Sequence, residues 1–336
     1  MAETRMTLAE IAQMANVSLA TVSKVLNGRT GVSEARRDQI LGLLDDHGYR
    51  RRGTGGRHRA GLIDIVLRGI DTLWATQILV GAQEEASRAG VGLVVTPTHG
   101  RMLGNRHWIT SLAQRHSDGL VLVVSRLQIG VDQELGKLGI PYVFVDPIGV
   151  PDQDVPVIGA TNFQGGVEAT EHLIGLGHRR IGIVTGDRGL ACSQERLDGY
   201  VDALQRAGIP ADEELIQFGN FQVEGGYAGA SRLLGLSRPP TAIFAGSDQQ
   251  AYGVYQAIKA AGLSVPGDVS VVGFDDVPLC SWVSPQLTTV RQPLTEMASE
   301  ATRILVEMAY RGIEPPHKKI ELATHLVIRE STAPAR

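Results

Sequence analysis

The chain has 336 residues, of which 43% are hydrophobic and 20% charged, a composition typical of a globular protein of about two domains. No apolar run approaches the ~18 residues of a membrane span and the N-terminus lacks a signal-peptide pattern, so we expect a cytoplasmic protein with no membrane partner. Cys192 and Cys280 form no CxxC pair and are too few for a disulfide framework, which favours reduced thiols.

Charge is distributed unevenly along the chain. Residues 1–60 contain ten Lys and Arg residues against six Asp and Glu residues, a net charge of +4. Since the whole chain has a net charge of −4, residues 61–336 carry −8. A basic head on an acidic body is typical of a protein whose head neutralises phosphate and whose body does not.

Two short helices joined by a tight turn are predicted in the segment Thr7–Asn27. Thr7 and Glu10 have the spacing of a capping box, which satisfies free amides at a helix start. Ser18 is suited to cap the second helix, Leu19–Leu26. Apolar residues give each helix one buried face: Leu8, Ile11, Ala12, Ala15, Val22 and Val25. Such a pair leaves the second helix free to enter the major groove of DNA.

A third helix and a basic linker complete the N-terminal part. Ser33 is the predicted cap of a helix that continues to about His47, and Gly48 ends it. The stretch Arg50–Ala60, RRRGTGGRHRA, has no apolar residue able to anchor it, which indicates a flexible hinge. We therefore predict an all-α, three-helix DNA-binding head over residues 1–49, followed by this hinge.

From Gly61 onward, short apolar runs alternate with amphipathic segments. The runs are typical of buried parallel strands: Leu62–Leu67, Leu93–Thr96, Leu120–Val124, Tyr142–Asp146, Ile181–Val184, Ala242–Ala245 and Val269–Phe274. The segments predict helices such as Gln77–Ala89, Gly165–Leu176, Glu195–Ala207, Gln249–Ala261 and Leu294–Tyr310. Repeated strand–helix units predict an α/β core of doubly wound parallel sheets with ligands at the carboxyl ends of the strands. Two similar halves meet near Gly159–Gln164, which predicts two lobes and a cleft between them.

Several short motifs follow one another in a characteristic order. In the head they are Thr7-Leu8, Ile11-Ala12, Ala15, Val17-Ser18, Ala20–Gly28 and Val32-Ser33. In the body they are His172-Leu173, Gly177–Ile181, Arg196, Gly199-Tyr200, Ser247–Gln249, Ser270–Asp276 and Leu287–Val290. Each motif alone is weak, but together they resemble the LacI/GalR family of bacterial transcription regulators over nearly the whole chain.

The resemblance implies a helix-turn-helix head, a hinge, and a core like that of periplasmic sugar-binding proteins over residues 61–332. The first lobe would comprise residues 61–160 and 293–322, and the second residues 163–291 and 323–332. It also implies homodimers on pseudo-palindromic double-stranded DNA operators, with a small effector in the cleft that changes the affinity for DNA. Because the chain ends a few residues after the predicted strand Thr324–Arg329, without a leucine-heptad tail, we expect a dimer rather than a tetramer.

The resemblance also assigns residues to DNA. The first, second and sixth residues of the recognition helix reach base edges in the family, and here these are Leu19, Ala20 and Lys24. Leu19 and Ala20 are suited to thymine methyl groups, and Lys24 is suited to O6 and N7 of guanine. Short hydrogen-bonding side chains are suited to phosphate contacts: Thr7, Ser18, Thr21, Ser23 and Asn27.

The hinge departs from the family pattern. Many members fold this segment into a short helix on the operator and insert a leucine into the minor groove, whereas here it contains Gly53, Gly55 and Gly56 and no leucine. Each glycine disfavours a helix by about 1 kcal/mol. We expect the hinge to bind by charge, with strong salt dependence and little central kinking, through Arg50, Arg51, Arg52, Arg57 and Arg59.

Matching to the family places Asp146, Arg196, Phe221 and Asp275 at the effector. Arg196 offers a planar donor fork, the carboxylates accept from hydroxyls, and Phe221 suits the apolar face of a sugar ring. Trp74, which we expect to open a loop after a strand, is a second stacking candidate, and Trp282 is a weaker one. Two positions differ from many members: Ser247 replaces an Asn, and Leu294 replaces an aromatic residue at the mouth of the cleft.

We therefore expect a repressor of carbohydrate-metabolism genes whose affinity for the operator is changed by a sugar. The alternatives use the same architecture or belong to a different class of protein. A purine or another metabolite as corepressor is the first alternative, because the sequence does not choose the direction of regulation. A solute-binding protein would share the core but not the head. An enzyme is disfavoured because no P-loop, GxSxG, HExxH or strand-following GxGxxG occurs, and we expect no cofactor and no metal.

Overall fold

A computed structural model describes residues 8–26, 32–46, 59–98, 107–123, 131–147 and 155–336. The chain forms two compact units, Met1–His58 and Arg59–Arg336, called here the head unit and the core unit. The head unit contains three helices, α1 (Leu8–Met14), α2 (Leu19–Leu26) and α3 (Glu34–Asp46). The predicted helices are therefore confirmed, although the third ends at Asp46 within the described residues.

The turn between α1 and α2 is built by two local motifs. Asn16 has a positive φ of 51°, and its N–H donates to Gln13 O (3.2 Å) while Val17 N donates to Ala12 O (3.0 Å). These two bonds form a Schellman motif, in which Asn tolerates the left-handed conformation. Ser18 is the N-cap of α2, because its Oγ accepts a hydrogen bond from Thr21 N at 3.2 Å.

One small apolar cluster holds the three helices of the head unit together. Ile11, Ala15, Val22 and Ile40 are completely buried, and Ala12, Val25 and Leu44 are at most 5% exposed: all seven belong to one cluster. Helices of 7, 8 and 13 residues are too short to be stable alone, so this packing stabilises them.

The core unit alternates strands and helices. Its strands are β1 (Leu62–Leu67), β2 (Gly92–Pro97), β3 (Gly119–Val123), β4 (Tyr142–Val145), β5 (Val157–Ala160), β6 (Ile181–Thr185), β7 (Ile216–Phe218), β8 (Ala242–Ala245), β9 (Ser270–Asp275), β10 (Thr288–Arg291), β11 (Lys319–Leu322) and β12 (His325–Val327). Its helices are α4 (Leu73–Arg88), α5 (His107–Arg115), α6 (Val131–Leu138), α7 (Asn162–Gly175), α8 (Ala191–Arg206), α9 (Val223–Leu234), α10 (Asp248–Ala260), α11 (Leu279–Trp282) and α12 (Leu294–Val306). A 3-10 turn, Glu213–Leu215, and a π-helical turn, Glu307–Arg311, supplement them.

The strands form two six-stranded sheets. The order in the first sheet is β11-β5-β4-β3-β1-β2, and in the second it is β12-β10-β9-β8-β6-β7. All pairs are parallel except β10 with β12. Central strands such as β3 and β8 are buried at every position, as expected for parallel sheets covered by helices on both faces. The doubly wound α/β fold is confirmed.

Three crossings connect the sheets: β5 to α7, β10 to α12, and β11 to β12. Two hydrogen bonds connect the β5–α7 crossing with the β11–β12 crossing. Thr324 N donates to Thr161 Oγ1 (2.9 Å), and Thr324 Oγ1 donates to Thr161 O (3.1 Å). These partly buried hydrogen bonds between the crossings help to keep the two lobes in one compact unit, with a cleft at their strand ends.

Sequence patterns missed four short strands and misplaced some ends. The strands β5, β7, β10 and β11 have only three or four residues each and were not predicted as strands. Two of them, β7 and β11, lie at sheet edges, whereas β5 and β10 lie inside their sheets. The helix predicted as Leu294–Tyr310 is regular only to Val306, and a π turn follows it. Ala60, predicted to lie in the hinge, belongs to the core unit, because its N–H donates to Asp118 Oδ1 at 3.3 Å.

None of the helices in the described ranges has the length and apolarity needed to cross a membrane.

Candidate functional site

The outer face of α2 carries the residues predicted to read bases. Leu19 is 53% exposed, and Ala20 and Lys24 are also exposed, whereas Val22 and Val25 on the opposite side pack into the head unit. Leu19 does not belong to the apolar cluster that holds the three helices of the head unit together. The helix therefore presents an apolar start and one cation to solvent.

The predicted phosphate contacts are only partly described. Ser18 is exposed and Thr21 is half-buried, with 2.9 Å between their hydroxyl oxygens. Thr21 is thus held by the capping residue of the same helix. The other DNA predictions lie outside the described residues, as does the side chain of Ser23: Thr7, Asn27, Arg50, Arg51, Arg52 and Arg57.

The core unit contains a cavity of about 450 Å³ at the carboxyl ends of strands from both sheets. We call this cavity the cleft. Its volume is in the range of small-molecule sites. All residues predicted at the effector line it: Trp74, Asp146, Arg196, Phe221, Ser247 and Asp275. Twelve further residues line the cleft and were not predicted there, and those with polar side chains are Arg68, Asp71, Thr72, Cys192, Asn220, Gln222 and Gln249.

Arg196 is the central cation of the cleft and is only 3% exposed. Its Nε donates to Asn162 Oδ1 at 3.0 Å, and its Nη1 donates to Gly246 O and lies 3.8 Å from Asp275 Oδ1. The guanidinium carbon stands 3.7 Å from the centre of the Phe274 ring. A planar group fixed by a stacked ring and directed acceptors is preorganised, so it requires little ordering when a ligand binds.

Two glycines bring α8, which carries Arg196, close to α7. A Cβ on Gly166 would stand 2.4 Å from Arg196 O, and a Cβ on Gly199 would stand 2.2 Å from Phe163 O. Both positions therefore require glycine for steric reasons. The close contact of the two helices places Arg196 beside Asn162 at the start of α7.

Asp275 and Asp248 are buried carboxyl groups, of which Asp275 lines the cleft and Asp248 does not. Asp275 Oδ1 accepts from Gln292 Nε2 at 2.7 Å, and Asp248 accepts from Thr289 Oγ1 (2.5 Å) and from Val277 N (2.8 Å). Burial raises the pKa of Asp275 well above its ordinary value, and the Asp248 charge adds to this while Arg196 opposes it. Burial likewise raises the pKa of Asp248 to about 7 against its hydrogen bonds.

Asp146 lies at the end of β4 and keeps part of its surface open to the cavity. Burial raises the pKa of its carboxyl group to about 6, although Arg196 lowers it, and Glu195 raises it further. The cleft therefore holds the carboxyl groups of Asp146 and Asp275 and the guanidinium group of Arg196 in a poorly solvated space, an arrangement suited to a ligand with several hydroxyl groups.

Backbone strain concentrates at the cleft. Asp146, Phe221 and Asp275 have positive φ angles of 45°, 63° and 114°, a region that residues other than glycine rarely adopt. Strained residues of this kind cost about 1–3 kcal/mol each and cluster at ligand sites. None of the sequence patterns revealed these angles.

Ser247 has a structural role at the cleft. Its Oγ accepts from Gln250 N (3.1 Å), which caps α10, and donates to Phe221 O (3.0 Å). The hydroxyl therefore fixes the strained loop that presents Phe221. A residue that the sequence suggested as a direct ligand thus also positions another one.

Two parts of the chain match described protein families. Residues 7–52 match bacterial regulatory proteins of the lacI family, and residues 170–332 match the periplasmic binding protein-like domain. The HTH-type transcriptional regulator CelR of Thermobifida fusca is 33% identical over 97% of this chain and 98% of its own length. MalR of Streptomyces coelicolor is 34% identical over 98% and 97%, respectively.

A solved structure of a CelR–cellobiose complex is similar to the whole chain. Its TM-score is 0.75 at 32% sequence identity, and the match covers 97% of this chain and 100% of that chain. The chain belongs to the LacI family. Its relatives are transcriptional regulators, which agrees with the resemblance deduced from the motifs of head and core.

Within this LacI-family core, three details of the predicted cleft are wrong. Trp74 does not lie in a loop: it lies in the first turn of α4, capped by Thr72 Oγ1, and it packs on the apolar core while lining the cleft. Trp282 is 69% exposed and lines a different groove. Leu294 is buried in the apolar core.

Nothing in the described part of this LacI-family chain groups three or more His, Cys, Asp or Glu residues around a candidate metal ion. The thiol of Cys192 lines the cleft, and burial raises its pKa to about 12, so it is protonated at neutral pH. The groups available to a ligand in the cleft are therefore carboxyls, amides, guanidinium groups and aromatic rings.

Proposed function

We propose that this LacI-family protein is a cytoplasmic transcriptional repressor whose affinity for an operator falls when a sugar binds in the cleft. The observation that carries the proposal is the convergence of Arg196, Asp146, Asp275 and two aromatic rings on one cavity, in a chain with a helix-turn-helix head. We assign residues 1–49 to DNA binding, 50–60 to the hinge and 61–332 to effector binding. In this proposal the protein acts by binding DNA and a small effector, and not by catalysis.

A neutral sugar suits the chemistry of the cleft. Asp146 and Asp275 accept from ring hydroxyls, while Arg196 donates to them, and Trp74 and Phe221 offer apolar surfaces to the ring faces. The similar structure is that of CelR in complex with cellobiose, which supports a disaccharide as the first compound to test. A purine or another metabolite acting as corepressor is the outcome that would replace this proposal.

The exposed face of α2 supports recognition of a short DNA half-site. Leu19 and Ala20 contact thymine methyl groups, and Lys24 donates to guanine O6 and N7. The hydroxyl groups of Ser18, Thr21 and Ser23, with Thr7 and Asn27, contact phosphates. The hinge arginines Arg50, Arg51, Arg52 and Arg57 add charge-dependent binding beside the half-site.

The second proposed partner is another copy of the chain. A single helix-turn-helix head reads too short a site, so two heads related by symmetry read a pseudo-palindrome. Tyr252, Leu263 and Trp282 are 38%, 37% and 69% exposed and line a second groove, of about 650 Å³, on the second lobe. Exposed apolar groups of this size favour burial against a second copy. Light scattering is expected to give the mass of a dimer, and a monomer that keeps full operator affinity would contradict this assignment.

The test combines calorimetry and DNA binding on the full chain. Cellobiose, maltose, ribose and inosine are titrated first, and we expect a disaccharide to bind and the purine nucleoside not to bind. An operator duplex selected from random sequences is then titrated with and without the bound sugar, and we expect weaker DNA binding with sugar. Tighter DNA binding with sugar, or binding of inosine alone, would overturn the sugar-released repressor.

The variant Asn162→Ala gives an independent check on the cleft. It removes the acceptor for Arg196 Nε without touching the cavity lining, so sugar affinity is expected to fall about tenfold through loss of orientation. The matched control is Asn220→Ala, which removes an exposed lining amide and is expected to have a smaller effect. Equal effects of the two variants would contradict a site organised by Arg196.

A further inference from the structure

Helix α12 runs between two buried polar contacts at different places in the core unit. Gln292 precedes the helix and contacts Asp275, a lining residue of the cleft, and Tyr310 follows the helix in the π-helical turn. A helix of 13 residues is about 20 Å long and behaves as a rigid element over that length. We therefore expect a displacement of one end of α12 to displace the other end as well.

The first end of α12 is fixed to the cleft. Gln292 Nε2 donates to Asp275 Oδ1 at 2.7 Å, and Gln292 N donates to Asp275 O at 3.2 Å. The first turn also lies against α4, where a Cβ on Gly81 would stand 2.0 Å from Thr295 O. A change at Asp275 is thus transmitted directly to the start of α12.

The other end of α12 is fixed where the chain enters the core unit. The Asp118 carboxylate, which is 6% exposed, accepts from Gly61 N (2.8 Å), Ala60 N (3.3 Å) and the Tyr310 hydroxyl (2.7 Å). The guanidinium carbon of Arg59 lies 5.2 Å from the centre of the Tyr310 ring. We call Asp118, Tyr310 and the two backbone amides the clasp.

Packing reinforces the clasp. Leu305, in the last turn of α12, fills the space above Gly119, where a Cβ would stand 2.8 Å from the leucine side chain. The residue next to Asp118 is therefore in direct contact with α12. Three donors on one poorly solvated carboxylate make charge-assisted hydrogen bonds, which are stronger than neutral ones.

We propose that α12 transmits the state of the cleft to the segment Arg59–Gly61, and that Tyr310 is the positioning residue for this transmission. A ligand that changes the contacts of Asp275 shifts Gln292 and α12, and the clasp carries the shift to the backbone amides of Ala60 and Gly61. The regulatory part of the inference, that a ligand in the cleft acts on Arg59–Gly61, rests on the proposed function of the cleft. The mechanical part, that α12 connects Gln292 with the clasp, does not.

The mechanical part is tested without any ligand. Hydrogen exchange of residues 59–67 is measured on the full chain for wild type, Tyr310→Phe and the matched control Tyr227→Phe, whose ring is 41% exposed on α9. Loss of one hydrogen bond is expected to speed exchange of the Ala60 and Gly61 amides about fivefold in Tyr310→Phe and not in Tyr227→Phe. Asp118→Asn is a second variant, expected to act in the same direction.

A double-mutant cycle measures the connection along α12. Gln292→Ala is expected to speed exchange of the same amides in wild type but to add less than about twofold in the Tyr310→Phe background. Equal effects of Gln292→Ala in both backgrounds would overturn transmission through the clasp, as would identical exchange in Tyr310→Phe and Tyr227→Phe.

The regulatory part uses cellobiose at a saturating concentration fixed by calorimetry for each variant. The sugar is expected to change exchange at residues 59–61 in wild type and Tyr227→Phe and not in Tyr310→Phe. A sugar-induced change that persists in Tyr310→Phe would overturn the inference. If cellobiose does not bind, the proposed effector fails for that sugar, while the ligand-free cycle still decides whether the clasp and α12 act together.

Discussion

The recognition face of α2 and the cleft use opposite strategies. The α2 face is exposed, carries one cation at Lys24 and is supported by local capping. The cleft buries Arg196 with Asp275, holds residues at positive φ and depends on close glycine contacts. Substitutions on α2 therefore affect binding with little effect on stability, whereas substitutions in the cleft affect both.

Arg196→Met is expected to have the largest effect. It leaves the buried carboxyl groups of Asp146 and Asp275 without their cation, which costs about 3–5 kcal/mol of unfolding free energy and abolishes sugar binding. Urea denaturation and calorimetry measure the two effects. The control is Arg206→Met on the same helix, where an exposed cation pairs with Glu171 and Asp202 and a change below about 1 kcal/mol is expected. Similar losses in both variants would contradict the contrast between cleft and surface.

The pH dependence of the unfolding free energy of Asp146→Asn tests the cost of burying a carboxyl group in the cleft. The pKa of Asp146 is raised to about 6 in the folded protein, so the folded state binds more protons than the unfolded state between about pH 4 and pH 6. Its ionisation therefore lowers stability as the pH rises through that range. Asp146→Asn is expected to be more stable than wild type at pH 7.5, by up to about 3 kcal/mol, with the difference shrinking towards pH 4.

Denaturation midpoints at several pH values measure the effect of Asp146→Asn, and sugar affinity is expected to fall in the same variant. Asp198→Asn on the exposed face of α8 is the control and is expected to show no such pH-dependent gain. A destabilised Asp146→Asn at pH 7.5 would show that the carboxylate contributes more to folding than its burial costs.

Lys24→Ala tests the recognition face. Loss of a base contact is expected to cost about 1–3 kcal/mol of operator binding and to relax specificity at one base pair. Sugar affinity and the unfolding free energy of the core unit are expected to stay unchanged. Fluorescence anisotropy with matched and mismatched duplexes measures this, with Lys137→Ala on α6 as the exposed control. A uniform loss on all duplexes would assign Lys24 to phosphate instead.

Ser18→Ala is expected to have the smallest effect. It removes the acceptor for Thr21 N at the start of α2 and is expected to destabilise the head unit by about 1 kcal/mol, through capping alone. Hydrogen exchange in α2 is expected to rise, while exchange in the core unit does not. Ser231→Ala, exposed in α9, is the control. Unchanged exchange in α2 would show that the apolar cluster, and not the cap, holds the helix.

Local signals in the sequence predicted the head and the central strands well. The cap at Ser18, the turn at Asn16 and the apolar period of α1 and α2 are each read within a few residues. Central strands such as β3 and β8 are continuous apolar runs, since both of their faces are buried. The edge strands β7 and β11 were missed because polar residues interrupt their short segments, IQF and KIEL, which therefore resemble loops.

The sequence by itself determined the DNA-reading head, the α/β class of the core and, through the family motifs, six residues that share one cavity. It did so because capping, periodicity and motif spacing act over short distances along the chain. Only the tertiary structure decided the positive φ of Asp146, the packing of Gly166 under Arg196, and the contacts of Gln292 and Tyr310 at the two ends of α12. These features depend on residues far apart in the chain, so no local pattern encodes them.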